Sequence, residues 1–290
     1  MIVTVFTPTY NRAKLLPRLY KSLLQQNTDD FEWLIVDDGS DDDTALVVSK
    51  MIAEEKISIR YIKQNQSGKH VAYNTALQYA SGKLFICVDS DDILAENAIQ
   101  ILKNSYGKLR ETDCGFIGYK LDQNGARLSG DLPKQVDSYV NIFNCIHAIG
   151  GEFTLVFVTD IARHFLFPVI KDEKFMGESI LYDRLDLAGY TIYPIASVLE
   201  ICEYQPEGLT NNLNRIMRQN PGGYCLYFMQ RIDMQTSWKQ RLIIAGKYRC
   251  FSIFAGNKRS KYTGNHKFFV ALSTPLGLLF WLYYKLFREF

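Results

Sequence analysis

The chain has 290 residues, of which 47% are hydrophobic and 22% are charged, and its formal net charge at pH 7 is +2. This composition is typical of an ordinary globular protein that can bury a full core, as one large domain or as one domain with an appended piece. The nearly balanced charge gives no indication of nucleic-acid binding.

The cysteines and the N-terminus both indicate an intracellular protein. All six cysteines stand apart, without a CxxC pair or a metal-ligand spacing, and Cys87 lies in an apolar run, so reduced and buried thiols are expected. Residues 1–6 have no basic start and lead straight into an apolar strand, so no signal peptide is predicted. We therefore expect a cytoplasmic location.

The first third of the chain alternates between apolar strands and amphipathic helices. Strands are predicted at Ile2–Phe6, Phe31–Val36, Ile57–Lys63 and Leu84–Val88, and helices at Ala13–Gln25, Thr44–Glu55 and Val71–Ala80. This alternation predicts an α/β protein with a doubly wound, mostly parallel sheet. Residues 113–197 mix strands with helices, and the chain from Glu203 is helical and polar until it reaches an apolar tail.

Polar segments follow all four predicted strands. In a doubly wound sheet, ligands bind outside the carboxyl ends of the strands, so these segments are expected to share one edge. They are Thr7-Pro8-Thr9-Tyr10-Asn11-Arg12, Asp37-Asp38-Gly39-Ser40, Gln64 to His70, and Asp89-Ser90-Asp91-Asp92. An Asp-Gly-Ser sequence alone is a common turn and helix-cap signal. Four polar segments at one edge indicate a binding site.

The fourth segment, DSDD, ends an apolar strand with three carboxylates. At neutral pH these charges repel one another, and each is more stable when hydrated. A divalent cation, Mg²⁺ or Mn²⁺, that is held by carboxylates and by substrate phosphates explains such a cluster. The alternative is a solvated turn in which Asp92 caps the helix that begins near Glu96.

In their order and spacing, these segments resemble the nucleotide-binding half of family-two glycosyltransferases of the GT-A fold. The resemblance is carried by TPTYNR, DDGS, the Gly68-Lys69-His70 loop that leads to Asn74, and DSDD. A weaker similarity, to the acceptor side and the catalytic-base helix, covers Gly150-Gly151-Glu152 and the stretch from Met176-Gly177-Glu178 to Gly189-Tyr190. Residues 203–210 resemble a subgroup from bacterial surface (capsular or cell-wall) polysaccharide clusters.

The resemblance implies an inverting transfer of a sugar from a nucleotide diphosphosugar, with a UDP-sugar as the expected donor. The implied acceptor is a hydroxyl of a saccharide or of a polyprenyl-linked saccharide. Mn²⁺ or Mg²⁺ is the implied cofactor, because a metal at the two phosphates neutralises charge as the glycosidic bond breaks. We expect a glycosyltransferase domain at 1–202, with its nucleotide half at 1–112 and its acceptor and base half at 113–202, and a helical extension at 203–266.

The resemblance also implies roles for single residues. Asp91 is expected to bind the metal, Asp89 the metal or the ribose, and Asp38 the N–H of the base. The other residues expected at the donor are Thr7, Pro8, Thr9, Tyr10, Gly68, Lys69, His70, Asn74 and Ser90. A lysine suits phosphate as a point charge, whereas a capping or supporting role is the alternative for His70. Many relatives have Arg where this chain has Tyr73.

Inverting transfer needs a carboxylate that takes the proton of the acceptor hydroxyl. By its place in the family's motif this is Glu178, a Glu for the usual Asp, at a helix start that favours its ionised form. The alternative is an ordinary first-turn residue. The next candidates for the base are Glu152, Asp172 and Glu173. Gly151 and Glu152 are expected on the acceptor side, and Asp183 and Asp186 as exposed helix charges.

The tail, residues 267–290, combines an uncharged apolar run from Phe268 to Tyr284 with basic flanks. The flanking basic residues are Lys267, Lys285 and Arg288, the interrupting residues are Pro275 and Gly277, and the aromatics typical of headgroup depth are Trp281, Tyr283 and Tyr284. We expect an interfacial or re-entrant anchor that makes the protein peripheral on the inner face of the cell membrane. A buried terminal helix and a true span are the alternatives.

Two other classes of function remain open from the sequence. A sugar nucleotidyltransferase has a similar fold, but it needs a Gly-rich loop with a basic residue after the first strand, and TPTYNR is not one. A degenerate transferase that only binds a partner is disfavoured by the intact DSDD and by Glu178. A processive synthase would need several transmembrane helices, which the sequence does not suggest.

Overall fold

The computed structural model describes residues 1–133, 141–203, 213–258 and 260–287. The chain forms two compact units. The first consists of Met1–Leu166 and Ala188–Gln205, and the second of Phe167–Leu187 and Pro206–Phe290. Most of the predicted surface-polysaccharide motif, residues 204–210, lies outside the described residues, as does Arg288 of the tail.

One eight-stranded sheet forms the centre of the first unit. Its strands are β1 (Val3–Thr9), β2 (Phe31–Asp37), β3 (Ile59–Lys63), β4 (Leu84–Cys87), β5 (Ile93–Leu94), β6 (Asp113–Asp122), β7 (Phe153–Val158) and β8 (Thr191–Cys202). The order across the sheet is β3-β2-β1-β4-β7-β6-β8-β5. The first four strands and the β6–β8 pair are parallel, whereas β7 runs antiparallel to both of its neighbours. The predicted α/β fold is confirmed.

The helices of the first unit are α1 (Leu16–Leu24), α2 (Thr44–Ala53), α3 (Lys69–Tyr79), α4 (Ala98–Ser105), α5 (Ile142–Asn144, continued by a π turn at Cys145–Ile149) and α6 (Thr159–Ala162). Leucines at helical spacing place one side of α1 in the core, where Leu16, Leu19 and Leu23 are buried. Every residue of β2 is buried, as is typical of a parallel strand covered on both faces. The predicted elements of the first third are therefore confirmed.

The second unit is helical, with α7 (Ser179–Leu187), α8 (Leu213–Gln219), α9 (Pro221–Met234), α10 (Trp238–Ala255), α11 (Lys267–Leu272) and α12 (Thr274–Phe287). Its core contains Phe228 and Ile232 of α9 with Tyr248 and Phe251 of α10. Burying these large side chains supplies the main favourable term for packing the two helices, at about 25 cal/mol per Å² of apolar surface.

A buried ion pair corrects the expectation that Asp183 is exposed. The side chain of Asp183 on α7 is 1% exposed, and Arg231 of α9 donates to its two oxygens over 2.8 and 3.1 Å. Burial raises the pKa of Asp183, and the guanidinium opposes that rise. The sequence suggested an exposed charge because the partner lies 48 residues away along the chain. Asp186 is half-buried.

The tail folds as α11 and α12, and one side of α12 packs on α10. The two helices approach closely at Gly277 and Gly246: a Cβ at Gly277 would lie 2.4 Å from the Cβ of Arg249. Pro275 is accommodated in the first turn of α12, where its missing N–H is not needed. Over the described parts of the chain, no helix has both the length and the apolar character that crossing a membrane requires.

Candidate active site

The four predicted polar segments lie at one edge of the sheet, and hydrogen bonds join the first two. The backbone N–H of Asn11 donates to Ser40 Oγ over 2.9 Å, and the N–H of Asp41 donates to Asn11 Oδ1 over 3.0 Å. Asn11 adopts a left-handed conformation with φ of +54°, a turn that asparagine tolerates well. The loops after β1 and β2 are therefore held as one surface.

Within the first segment, Thr7 and Thr9 differ. The Thr7 hydroxyl is buried and accepts a hydrogen bond from Trp33 Nε1 over 2.9 Å. Thr9 is only 3% exposed, and its hydroxyl has no hydrogen-bond partner among the described residues. A buried polar atom without a partner is costly, so this hydroxyl favours a ligand at the edge. Pro8 is half-buried, and Tyr10 is exposed.

Asp38 organises the loop between β3 and α3. Its carboxylate accepts hydrogen bonds from Gln64 Nε2 (2.8 Å) and from the backbone N–H groups of Ser67 (2.8 Å) and Gly68 (2.7 Å). A carboxylate has about four lone-pair positions, so one further donor, such as the N–H of a nucleotide base, can still bind. Gly68, with φ of +96°, turns the chain into α3.

Lys69 and Asp89 form an ion pair between the third and fourth segments. The Lys69 ammonium lies 2.7 and 2.8 Å from the two carboxylate oxygens of Asp89. The next residue, His70, is buried, and this burial lowers its pKa although the charge of Asp38 opposes the effect. Asn74, one turn further along α3, is also buried. The structure thus brings a lysine ammonium, an imidazole and two carboxylates together at this edge.

Asp91 is a carboxylate in unfavourable electrostatic surroundings. Burial and the charges of Asp89 and Asp92 raise its pKa, and Arg12 opposes them only weakly, with Nη1 4.0 Å from Asp91 Oδ2. Arg18 of α1 holds the same loop by donating to the Asp91 carbonyl over 2.7 Å, and it also pairs with Glu203. The neighbouring Ser90 is buried. A carboxylate in this setting is stabilised by an added cation.

Asp92 points into a buried network and is not a helix cap. The helix that follows begins at Ala98, so the alternative role as an N-cap is wrong. Asp92 accepts hydrogen bonds from the Cys202 thiol over 3.2 Å and from the Glu203 N–H over 3.1 Å. The Lys120 ammonium lies 3.0 Å from Glu200 and 3.9 Å from Asp92. Sequence reasoning missed this network because its members are far apart in the chain.

Among the described residues, two groups of side chains offer ligand atoms for a metal, and they are not equally suited to bind one. Asp92, Glu200 and Cys202 have ligand atoms within 4.8 Å of one another. Lys120 already supplies a positive charge there, and burial raises the pKa of Cys202, which keeps its thiol neutral and a poor ligand. Asp91 fits a divalent ion better, since Mg²⁺ typically takes one or two carboxylates and completes its shell with substrate phosphates and water. Asp89, whose oxygens contact Lys69, could supply the second carboxylate once a diphosphate binds that ammonium.

Tyr73, which stands where many relatives have arginine, is buried in the core. It is 4% exposed and packs edge-on against Phe6 and Phe85, with ring centroids 5.7 and 5.1 Å apart. In this chain the position belongs to the core of the first unit. Positive charge at the strand edge comes instead from Lys69 and Arg12.

Glu178 lies in the second unit, directly before α7, as the predicted helix start requires. Its Oε2 accepts a hydrogen bond from Tyr182 one turn later, over 2.8 Å, which fixes the carboxylate. Among the other candidates, Glu173 is buried and accepts the N–H groups of Gly222 and Gly223 at the start of α9, so it has a capping role. Asp172 is exposed.

The predicted acceptor-side residues Gly151 and Glu152 lie directly before β7 in the first unit, and both are exposed. Gly151 has φ of +96° and forms a bridge with Ser129, where an added Cβ would lie 2.1 Å from the Leu128 carbonyl oxygen. Its glycine is thus explained by backbone geometry.

A sheet of this order with carboxylates and a lysine at its parallel strand ends has the architecture of GT-A nucleotide-sugar transferases. Residues 4–159, more than half of the chain, match the family described as Glycosyl transferase family 2, and the protein belongs to that family. Among solved structures, the chain is similar to Staphylococcus aureus TarS 1-349 in complex with UDP-GlcNAc, with a TM-score of 0.58 and 19% identity. That match covers 87% of this chain and 73% of TarS 1-349, and it is a likeness of fold.

Two curated relatives are also similar. Chondroitin synthase of Escherichia coli is 31% identical over 129 residues, which are 44% of this chain and 19% of the relative, so this chain spans only a small part of that longer protein. The second is UDP-Glc:alpha-D-GlcNAc-diphosphoundecaprenol beta-1,3-glucosyltransferase WfgD of Escherichia coli, which is 28% identical over 190 residues, 63% of this chain and 71% of WfgD.

Proposed function

We propose that this protein transfers a sugar from a nucleotide diphosphosugar, a UDP-sugar in the first place, to a saccharide hydroxyl in bacterial surface polysaccharide synthesis. One observation carries the proposal. In a family-two domain, Asp38, the Lys69–Asp89 pair and Asp91 lie at the carboxyl ends of neighbouring parallel strands, where a nucleoside diphosphate would find both hydrogen-bond acceptors and a cation.

At the donor, Asp38 is proposed to accept the N–H of the base, and the Thr9 hydroxyl to bind the nucleoside. Lys69 is proposed to contact the diphosphate, where its ammonium neutralises charge on the leaving group. Asp91 and Asp89 are proposed to hold Mn²⁺ or Mg²⁺. When bound, such an ion supplies further charge neutralisation at the diphosphate.

Glu178 is proposed as the general base of an inverting reaction. The acceptor oxygen forms a bond to the anomeric carbon, and the bond from that carbon to the diphosphate oxygen breaks. The electron pair of the broken bond leaves with the nucleoside diphosphate, and the acceptor proton passes to the Glu178 carboxylate. The hydrogen bond from Tyr182 keeps that carboxylate in one orientation. General-base catalysis requires such a fixed position relative to the proton that is removed.

The acceptor is proposed to be linked to a polyprenyl diphosphate and to be met at the inner face of the cell membrane. WfgD, by its name, acts on a diphosphoundecaprenol-linked sugar. In the tail, the side of α11 and α12 away from α10 exposes Phe268, Leu279 and Leu286, which are 72%, 63% and 59% exposed. Such a surface next to Lys267 and Lys285 favours the anionic surface of a membrane.

The donor half of the proposal is tested with a panel of nucleotide sugars, measured for binding and for slow donor hydrolysis with and without Mn²⁺. We expect at least one UDP-sugar to bind in the micromolar range, with weaker binding in EDTA. Binding by every sugar-free nucleoside triphosphate but by no nucleotide sugar would contradict a glycosyltransferase.

The membrane half is tested by sedimentation with vesicles that contain anionic lipid. Deleting the tail would expose the side of α10 that α12 covers and would disturb the fold, so charged substitutions on the outer side are the sharper change. We expect L279E combined with L286E to abolish vesicle binding. The matched control is L46E, which changes an exposed leucine of α2 in the first unit. Equal sedimentation of both variants would refute the membrane surface.

A further inference from the structure

The second unit contains a cavity of about 380 Å³ next to Glu178 in the chain. It is formed by the segment before α7 and by helices α8, α9 and α10. The residues that line it are Phe175, Met176, Gly177, Ser179, Met217, Gly223, Tyr224, Tyr227, Phe228 and Lys247. Its volume is within the range of about 300–1,000 Å³ that is usual for small-molecule sites.

The walls of this cavity are mostly apolar and are held in place by ring contacts. Tyr224 stacks on Phe175 with centroids 6.3 Å apart, and Tyr227 meets Phe228 edge-on at 4.9 Å. Burial raises the pKa of Tyr224 to about 12, so its hydroxyl stays neutral. Among the described residues that line the cavity, none has a carboxylate or amide side chain, and the many hydroxyls of a sugar would therefore lose hydrogen bonds on entry. The walls suit a hydrocarbon chain.

One charge lies at this apolar wall. Lys247 of α10 is half-buried, and its ammonium lies 5.6 Å from the centroid of the Phe228 ring. Within the described residues, Lys247 forms no ion pair with a carboxylate. An ammonium that is partly removed from water and lacks a counter-ion favours an anionic ligand, and a lysine suits phosphate as a point charge.

We propose that this cavity binds an apolar chain that ends in a phosphate or diphosphate, such as a prenyl diphosphate. The chain lies among the rings and methionines, and the phosphate contacts Lys247. The inference rests on the proposed function, in that it provides a place for the lipid part of the acceptor. Gly177 and Ser179 line the cavity and flank Glu178, so a lipid seated here brings the acceptor to the segment that carries the proposed base.

The test uses farnesyl diphosphate as the probe and the full-length protein, by calorimetry in EDTA with saturating UDP to fill the donor site. Farnesol and inorganic pyrophosphate are the matched partial ligands. We expect micromolar binding of farnesyl diphosphate, about tenfold weaker binding of farnesol, and no binding of pyrophosphate. Failure of farnesyl diphosphate to bind at millimolar concentration overturns the inference, as does equal binding of farnesol.

Two variants locate the probe. K247A is expected to weaken farnesyl diphosphate about tenfold and leave farnesol unchanged, whereas M217W fills the cavity and removes binding of both. K239A, which changes an exposed lysine on the same helix, is the control and should match the wild type. Unchanged affinity in K247A overturns the inference even if M217W does not fold. UDP binding with Mn²⁺ is measured in the same variants. Normal UDP binding without farnesyl diphosphate binding would contradict the lipid cavity alone, whereas loss of UDP binding in the wild type would contradict the proposed donor site.

Discussion

Asp91 of the first unit and Asp183 of the second differ in how their negative charge is balanced. In the first unit, Asp91 sits beside Asp89 and Asp92, and the nearest positive charge among the described residues that opposes them is Arg12, at 4.0 Å. In the second unit, Asp183 is more deeply buried, but Arg231 donates to both of its oxygens. A cluster of like charges without a matching counter-charge indicates a ligand-binding site, whereas a paired charge indicates a structural role. Substitutions of these and other charged residues can break or sharpen this comparison.

The largest effect is expected for D91A, which should reduce sugar transfer by at least about a thousandfold, since it removes a proposed metal ligand. The same change relieves carboxylate repulsion, so the melting temperature should stay equal or rise. Turnover assays with Mn²⁺ and a melting curve measure both. E96A, at an exposed position shortly after β5, is the control. Wild-type turnover in D91A would show that Asp91 is not needed for catalysis.

E178Q is expected to lower transfer by about 10²–10⁴-fold, the usual contribution of a general base, with donor affinity and stability unchanged. Y182F should lower it less, because the carboxylate is still present but loses the hydrogen bond that orients it. Steady-state kinetics and donor titration measure these effects. A near-normal E178Q together with an inactive E152Q would move the base to Glu152.

Breaking the balanced pair should act on stability. D183N is expected to reduce the free energy of unfolding by about 3–5 kcal/mol, because it leaves Arg231 buried without a counter-charge. Replacing both residues, as D183L with R231M, should restore most of that loss. Denaturant unfolding measures both variants. If D183N is as stable as the wild type but inactive, the pair belongs to the site and the comparison fails.

D38A should raise the dissociation constant of the donor about tenfold, with a smaller effect on turnover of bound donor, since a base contact is present in ground and transition states alike. It also leaves two backbone N–H groups of the loop without an acceptor, which should cost about 1–3 kcal/mol of stability. Donor titration and melting curves check the two effects. A turnover defect with unchanged donor affinity would contradict the role of Asp38.

In the first unit, the features that could be predicted are those determined by residues close together in the sequence. The strands β1 to β4 follow from short apolar runs, and their polar ends meet at one edge because parallel strands share a direction. The cluster of carboxylates in DSDD was predictable, but the different surroundings of its three aspartates were not. Asp92 turns toward Lys120 and Glu200, and this orientation depends on β6 and β8, which come much later in the chain.

The second unit was less predictable because its contacts are distant in sequence. Asp183 has the sequence pattern of an exposed helix charge, and its neighbours in the chain do not indicate that it pairs with Arg231. The cavity around Tyr224 and Tyr227 combines residues from four separate segments, and the sequence showed only a polar helical region. The helix before which Glu178 stands was predicted, because the motif around it is short and continuous.

The hydrogen bonds of Asp38 have a consequence for how donor preference can evolve. The residue proposed to read the base also ties down the N–H groups of Ser67 and Gly68, immediately before the lysine proposed to read the diphosphate. A mutation that retunes base recognition at Asp38 therefore loosens phosphate recognition in the same step. We expect descendants of this protein to change the sugar they accept more readily than the nucleotide that carries it.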